Sequence, residues 1–227
     1  MGFKEAVADA VLGAFAALTP DLRGIDSHAC DYSRGEWQGI QTTAVGASGA
    51  VSTLIPGAHL VTMPADVVFL VNRMAVCAYG IGSILAKSNG KGFILEEQDM
   101  PIILARWAGD DGVSDAAIAK AAAAGSAAFA GAPIAAMLAK VAVEHTGILV
   151  GKKLGGKVGA KVASKFAAKY VGKIGGGFIP FAGPAIAGGI NVYFITEMAS
   201  AAYGWYSTKL RIADEFGGGF VGSLVPA

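Results

Sequence analysis

The sequence predicts an all-α protein, a compact helical bundle with long helical hairpins rich in glycine and alanine. Apolar residues make up 54% of the 227 residues and charged residues only 15%, against roughly 25% charged residues in an ordinary soluble domain. Glycine and alanine together form about a third of the chain, and such small side chains let helix backbones approach closely, as they do in membranes. Apolar residues recur at helical spacing, whereas strand-length alternation is scarce. We therefore expect at least half of the residues to be helical, with negligible strand.

We interpret the chain as one helical domain in three parts. Residues 1–36 comprise an N-terminal amphipathic helix and a polar loop, residues 37–216 form the helical core, and residues 217–227 are an irregular, glycine-rich tail. The first helix has apolar side chains along one side and ends near Thr19 and Pro20. These side chains are Phe3, Val7, Val11, Phe15 and Leu18.

Charge and cysteine content narrow the class of protein. A formal net charge of +1 produces no field that attracts nucleic acid, so we expect no nucleic-acid partner. Two cysteines, Cys30 and Cys77, do not make a disulfide framework and favour a reducing, cytoplasmic compartment. Charged residues interrupt the first turns at Lys4, Glu5 and Asp9, so the N-terminus lacks the pattern of a secretory signal.

No pattern of catalytic or metal-binding residues stands out. His28, Cys30 and Asp31 lie close together, but no second ligand cluster follows at the spacing of a metal site. Asp110 and Asp111 lack the ligand spacing of a calcium loop. Nucleophile, phosphate-loop, zinc and dinucleotide motifs are missing as well. We therefore predict a non-enzymatic protein without metal or cofactor.

Three long runs of the chain carry no formal charge. Residues 37–65 contain only the usually neutral His59, and residues 174–196 are uncharged throughout. The first run is long enough to cross a bilayer, although glycine and proline interrupt it and few large aliphatic side chains drive insertion; a buried hairpin explains it equally well. Residues 121–139 include eleven alanines, which are close to neutral for membrane insertion.

Two opposite charges lie inside an otherwise apolar helix that begins near Pro64 and runs to about Ala86. Asp66 and Arg73 are seven residues apart, which places them on one helix face about two turns from each other. They can pair directly, or each can meet another helix. Buried charges generally have partners, so we predict a structural polar network around them.

A ridge of lysines is the most informative pattern in the sequence. Lysine recurs at every fourth residue, beside a row of larger apolar residues and a row of glycine and alanine, and because a period of four exceeds 3.6, each row winds slowly around the helix. No acid occurs between Glu144 and Glu197, so neighbours in the sequence do not neutralise these charges. Such a ridge suits anionic lipid headgroups; the alternative is a solvated face balanced by acids elsewhere. The lysine ridge consists of Lys153, Lys157, Lys161, Lys165, Lys169 and Lys173.

A short Gly/Pro-rich turn follows the lysine helix, and a second helix runs from about Ala185 to Phe216. Helices joined by so short a connection pack side by side in opposite directions. The sequence therefore predicts an antiparallel helical hairpin.

Two sequence blocks resemble the EcsC protein family. They are "MPADVVFLVNRMAVCAYGIG" at 63–82 and "KVASKFAAKYVGKIGGGFIPFAGPAIAGGINVYFITEMASAAYGWY" at 161–206. The resemblance implies an α-helical, hydrophobic, membrane-linked bacterial protein with no settled biochemical activity. By matched position it singles out Asp66, Arg73 and Asn191, without assigning them chemistry. The alanine-rich middle of the chain and its polar stretch at 21–36 depart from a typical member.

The sequence favours a membrane-associated cytoplasmic protein that binds anionic lipid through the lysine ridge. Two other functions use the same features. Glycine- and alanine-rich helix faces can pack against further copies of the chain, giving homo-oligomers or filaments. Long uncharged hairpins bounded by lysines also suit a pore-forming protein that passes from a soluble to an inserted state.

Overall fold

The computed structural model describes most of the predicted helical core. The predicted alanine-rich segment, the Gly/Pro turn at 178–182, the tail and the first residues of the amphipathic helix lie outside the described residues. The described residues are 10–15, 17–51, 58–109, 149–150, 153–154, 156–177 and 183–216.

The described chain consists of helices joined by turns and loops, with one minimal hairpin, which confirms the all-α fold class. Two strands of two residues each pair antiparallel, β1 (Leu149–Val150) and β2 (Lys153–Leu154). The helices are α1 (residues 10–15), α2 (Leu22–Ala29), α3 (Arg34–Val51), α4 (Ala58–Ser88), α5 (Asp99–Trp107), α6 (Gly156–Gly177) and α7 (Gly183–Phe216).

The expectation that the polar stretch at 21–36 is a loop is wrong in part, because α2 lies inside this stretch and α3 begins at its end. The carboxylate of Asp21 accepts a hydrogen bond from the Gly24 backbone N–H at 2.9 Å and caps α2. Ser33 and Glu36 form a reciprocal capping box at the start of α3, with distances of 2.8 and 3.3 Å. Asp, Ser and Glu at these positions are helix-start signals, and they outweigh the polar composition.

The lysine helix is also shorter than predicted. Helix α6 begins at Gly156, so Lys153 lies in β2 and not on the helix. Glycine is the poorest helix former after proline. The adjacent glycines at 155 and 156 therefore oppose extension of the helix back to Lys153, although the lysine period itself continues through them.

The centre of the fold is a group of three helices, α3, α4 and α7, each of which packs against the other two. Helix α3 runs antiparallel to both α4 and α7. Trp37 donates from Nε1 to the Cys77 carbonyl oxygen at 3.3 Å, across the α3–α4 contact. A methyl group at Gly80 would lie only 2.1 Å from that Nε1 atom. Trp37 is almost fully buried, so only glycine at position 80 leaves room for its indole.

The predicted antiparallel hairpin is present as α6 and α7. The rings of Phe166 and Phe194 stack with their centroids 4.4 Å apart, and Trp107 of α5 packs against both rings at 6.4 and 5.9 Å. These three aromatic side chains are buried. They join α5 to the hairpin and place the middle of the lysine ridge beside Trp107.

By length and composition, one helical stretch among the described residues resembles a membrane span, Ala65–Ser88 in α4. Its most apolar window is 72% buried inside the fold, as in the core helix of a soluble protein. Composition alone therefore does not make α4 a membrane span. Contact with lipid has to be judged from the exposed surfaces.

Candidate functional site

The described residues form two internal polar networks and one cluster around the lysine ridge. The most deeply buried network centres on Asp99, at the start of α5. Lys209 of α7 places Nζ 2.9 and 3.1 Å from the two carboxylate oxygens of Asp99, and it also donates to the Ile94 carbonyl oxygen at 2.6 Å. Asp99 is 0% and Lys209 2% exposed. This ion pair is therefore sealed from solvent.

Three further donors complete the shell around the Asp99 carboxylate. The indole of Trp205 donates at 2.9 Å, the hydroxyl of Tyr206 at 3.1 Å and the backbone N–H of Glu96 at 2.9 Å. Burial, and then the charge of Asp99, raise the pKa of Tyr206 above its ordinary value, and burial raises the pKa of Glu96. A saturated, buried carboxylate has no oxygen left for a substrate. The Asp99 cluster therefore ties α5 and the preceding segment to α7.

The predicted polar network around Asp66, Arg73 and Asn191 lies on either side of α3. Ser48 donates to the Asp66 carboxylate at 3.5 Å, and Arg73 donates to the side-chain oxygen of Gln41 at 3.3 Å. Asn191 of α7 donates to the Val45 carbonyl oxygen at 3.0 Å. Each of the three side chains is therefore bonded to α3.

The three predicted network residues differ in how deeply they are buried. Asp66 and Asn191 are buried, at 7% and 0% exposure, as predicted. Arg73 is only partly buried, so its predicted burial is wrong. A long arginine stem can pack on apolar surface while its charged head stays near solvent, and the guanidinium of Arg73 lies 5.4 Å from the ring centroid of Phe69.

The middle of the lysine ridge is an ion-pair cluster across the α6–α7 hairpin. Lys165 and Lys169 place Nζ 3.2 and 2.8 Å from the same carboxylate oxygen of Glu197. Lys169 also lies 3.7 Å above the ring centroid of Tyr193, whose hydroxyl donates to the other oxygen of Glu197. The expectation of an unneutralised ridge is therefore wrong at Lys165 and Lys169, because the hairpin brings a sequence-distant acid beside them.

The other ridge lysines differ in what the structure describes of them. Lys161 is exposed on α6. The side chains of Lys153, Lys157 and Lys173 lie outside the described part of the chain. The ridge therefore has an exposed member toward its N-terminal side and a half-buried, paired centre.

Two opposing influences act on the pKa of the Glu197 carboxyl group. Burial alone would raise it, but hydrogen bonds from Lys169, Tyr193 and Lys165 outweigh burial and lower the pKa below its ordinary value. A lowered carboxylate pKa means that the folded state favours the charged form. Its contribution to stability is present at neutral pH and is lost as the pH falls through the lowered pKa.

The helix directions bring two uncharged runs together. Because α3 and α7 are antiparallel, residues 37–51 of α3 lie beside residues 183–196 of α7, and Asn191 meets Val45 there. A methyl group at Gly188 would lie 3.0 Å from the Gly46 carbonyl oxygen, so these backbones touch. We call this part of the bundle the uncharged end. It includes the start of α4, where Val68 is 55% exposed.

The other end of the bundle carries the surface ion pairs. Lys91 and Asp214 are 2.6 Å apart at exposed positions, and the Arg34 guanidinium lies 4.2 Å from the ring centroid of Tyr203. An open cavity of about 470 Å³ lies there, between the C-terminal parts of α4 and α7, and its lining includes Arg211. We call this part the charged end.

The remaining sequence candidates do not assemble into a chemical site. His28 packs edge-on against Tyr32 and Trp37, and the Cys30 thiol points to Ser27 and Asp31. No group of three or more potential metal ligands comes together within the described ranges. Burial raises the pKa of Cys77, the other thiol, to about 12, so it is unreactive as a thiolate.

Comparison with known proteins found no family model, curated protein or solved structure that matches this chain. The resemblance to the EcsC family therefore stays a prediction from the sequence.

Proposed function

We propose that this chain is a non-catalytic, membrane-associated helical protein whose uncharged end lies against a lipid surface and whose lysine ridge meets anionic headgroups. The observation that carries this proposal is the packing of the uncharged runs of α3 and α7 side by side at one end of the bundle. The surface ion pairs Lys91–Asp214 and Lys87–Asp31 lie at the other end. A bundle polarised along its axis fits the boundary between lipid and water.

The internal bonding of the uncharged end supports this orientation. The hydrocarbon of a bilayer offers no hydrogen bonds, so polar groups near it have to be satisfied inside the protein. Asp66 bonds to Ser48 and Asn191 bonds to the backbone of Val45. The exposed side chain of Val68 is apolar, so Asp66, Asn191 and Val68 present no unbonded charge to lipid.

The middle of the ridge lies at the border between the two ends. Lys165, Lys169 and Tyr193 are grouped there, with Tyr193 48% exposed. Tyrosine and lysine are typical of membrane–water interfaces, where an apolar stem faces lipid and a polar tip faces headgroups. The resemblance to the EcsC family points to the same membrane-linked role, and the two cysteines favour a cytoplasmic location.

A charge introduced at the uncharged end tests this function. Val68→Glu should strongly reduce flotation with vesicles made of equal parts phosphatidylcholine and phosphatidylglycerol, because the new carboxylate has to be desolvated and is repelled by the anionic leaflet. The matched control is Tyr203→Glu, which changes an exposed residue beside Arg34 at the charged end. The proposal fails if both variants float as well as the parent, or if both lose binding equally.

Self-assembly is the second candidate, and one exposed surface favours it. The outer face of α3 carries a row of exposed small residues at every fourth position, Gly35, Gly39, Thr43 and Ala47. Such rows permit close helix–helix contact, here with another copy of the chain. Size-exclusion chromatography and electron microscopy in lipid-free buffer test this candidate, which requires large ordered particles.

A further inference from the structure

The indole of Trp107 has a buried polar group that the fold leaves unused. Trp107 is 3% exposed, and its Nε1–H has no hydrogen-bond partner among the described residues. A buried donor left unpaired costs about 1–3 kcal/mol, so such groups usually have an unseen partner. The ring lies beneath Lys165, whose Nζ is 4.5 Å from its centroid. The ring that carries the unpaired donor therefore borders the ion-pair cluster of Lys165, Lys169 and Glu197, which we call the ridge cluster.

The ridge cluster carries more positive than negative charge, and its lysines have more N–H donors than the described acceptors around them take up. Lys165 and Lys169 both contact one carboxylate oxygen of Glu197, so two ammonium groups face a single negative charge. Each ammonium has three N–H donors. Lys165 uses one on Glu197 and one on the Trp107 carbonyl oxygen, and Lys169 uses one on Glu197. The cluster thus keeps one net positive charge and spare N–H groups.

The cluster is reachable from solvent. The side chains of Lys165, Lys169 and Glu197 are 29%, 25% and 25% exposed. A small anion can therefore approach the two ammonium groups while the aromatic side chains beneath them exclude water, which strengthens charge-assisted hydrogen bonds.

We propose that Trp107, Lys165 and Lys169 form a phosphate-binding site that Glu197 occupies in the absence of ligand. A phosphate supplies the acceptor that the Trp107 N–H lacks and competes with Glu197 for the two ammonium groups. Glu197 therefore regulates the site as an internal competitor. The proposal deepens the proposed function and rests on it for the source of the phosphate, a lipid headgroup; free inorganic phosphate has the same chemistry.

Neutralising the competitor should strengthen lipid binding. Glu197→Gln keeps the side-chain shape and removes its charge, and we expect about fivefold tighter binding to vesicles of equal parts phosphatidylcholine and phosphatidylglycerol, the effect of one charge near an anionic leaflet. Asp214→Asn is the matched control, because it makes the same charge change at the charged end. The gain should vanish when Lys165→Gln and Lys169→Gln are added. An equal gain in Asp214→Asn, or no gain in folded Glu197→Gln, overturns the internal-competitor role.

Removing the unpaired donor gives an independent test. Trp107→Phe keeps an aromatic ring in the core and deletes the N–H, so it should weaken phosphate binding by about tenfold or more, as expected for one hydrogen bond to a charged acceptor. Binding is measured as the rise of the melting temperature with inorganic phosphate and, separately, by vesicle flotation. Unchanged phosphate binding by folded Trp107→Phe overturns the site.

The two readouts separate the failure of this site from the failure of the proposed function. If phosphate raises the melting temperature of the parent but not of Trp107→Phe, and neither floats with vesicles, the site stands with free phosphate as its ligand and the membrane function is wrong. If the parent floats, phosphate has no effect on melting, and the Trp107 and Glu197 variants float like the parent, the membrane function stands and this site is wrong.

Discussion

Replacing Lys209 by methionine should lower the free energy of unfolding by about 3–5 kcal/mol, the usual cost of removing one partner from a buried ion pair. Methionine fills a similar volume but leaves the Asp99 carboxylate, 0% exposed, without a counterion. The loss is a large fraction of the 5–15 kcal/mol that stabilises a typical domain. Urea denaturation followed by circular dichroism measures it.

The matched control for Lys209→Met is Lys91→Met at the charged end. Lys91 and Asp214 form an ion pair of similar length, but their side chains are 41% and 58% exposed. Exposed pairs contribute about 0–1 kcal/mol, so Lys91→Met should have little effect. Equal losses in the two variants would contradict the structural role assigned to the Asp99 cluster.

Changing Lys157, Lys161, Lys165 and Lys169 together to glutamine should weaken binding to anionic vesicles by about a thousandfold. A basic residue near an anionic leaflet contributes on the order of 1 kcal/mol, and four such contributions amount to about three powers of ten in affinity. Glutamine has a helix propensity close to that of lysine, so α6 should persist. Loss of Lys165 and Lys169 also leaves Glu197 uncompensated, which adds repulsion from the lipid.

Vesicle flotation at increasing salt measures this effect, with circular dichroism as the control for folding. Screening shortens the range of exposed charges, so the parent should lose affinity as salt rises, while the quadruple variant should change little. A quadruple variant that floats as well as the parent would make the ridge a solvated or subunit-facing surface. Self-assembly would then become the preferred function.

The features predicted correctly from the sequence are those that depend on local periodicity. The apolar rows beside the lysines predicted α6 and its packing, now seen in the stacking of Phe166 on Phe194. The short turn predicted an antiparallel α7, now seen in the contacts of Lys165 with Glu197 and of Lys169 with Tyr193. The burial of Asp66 followed from its place in an apolar helix. Each of these features is set by neighbours within a few helical turns.

The features that were missed depend on contacts between residues far apart in the chain. Asp99 meets Trp205, Tyr206 and Lys209, more than a hundred residues away, and an isolated aspartate in the sequence gives no sign of such partners. Glu197 was separated from the lysine ridge in sequence and is adjacent to it in space. One local signal was available, because Trp205 and Lys209 are four residues apart and share a helix face.

The most direct test of the membrane account is flotation of the unmodified protein with two kinds of vesicle, pure phosphatidylcholine and an equal mixture with phosphatidylglycerol. The uncharged end and the lysine ridge together predict flotation with the mixed vesicles, weaker flotation with the neutral ones and a loss of the difference at high salt. A protein that stays unbound with both vesicles, and forms large ordered particles in lipid-free buffer, would contradict the account and favour self-assembly.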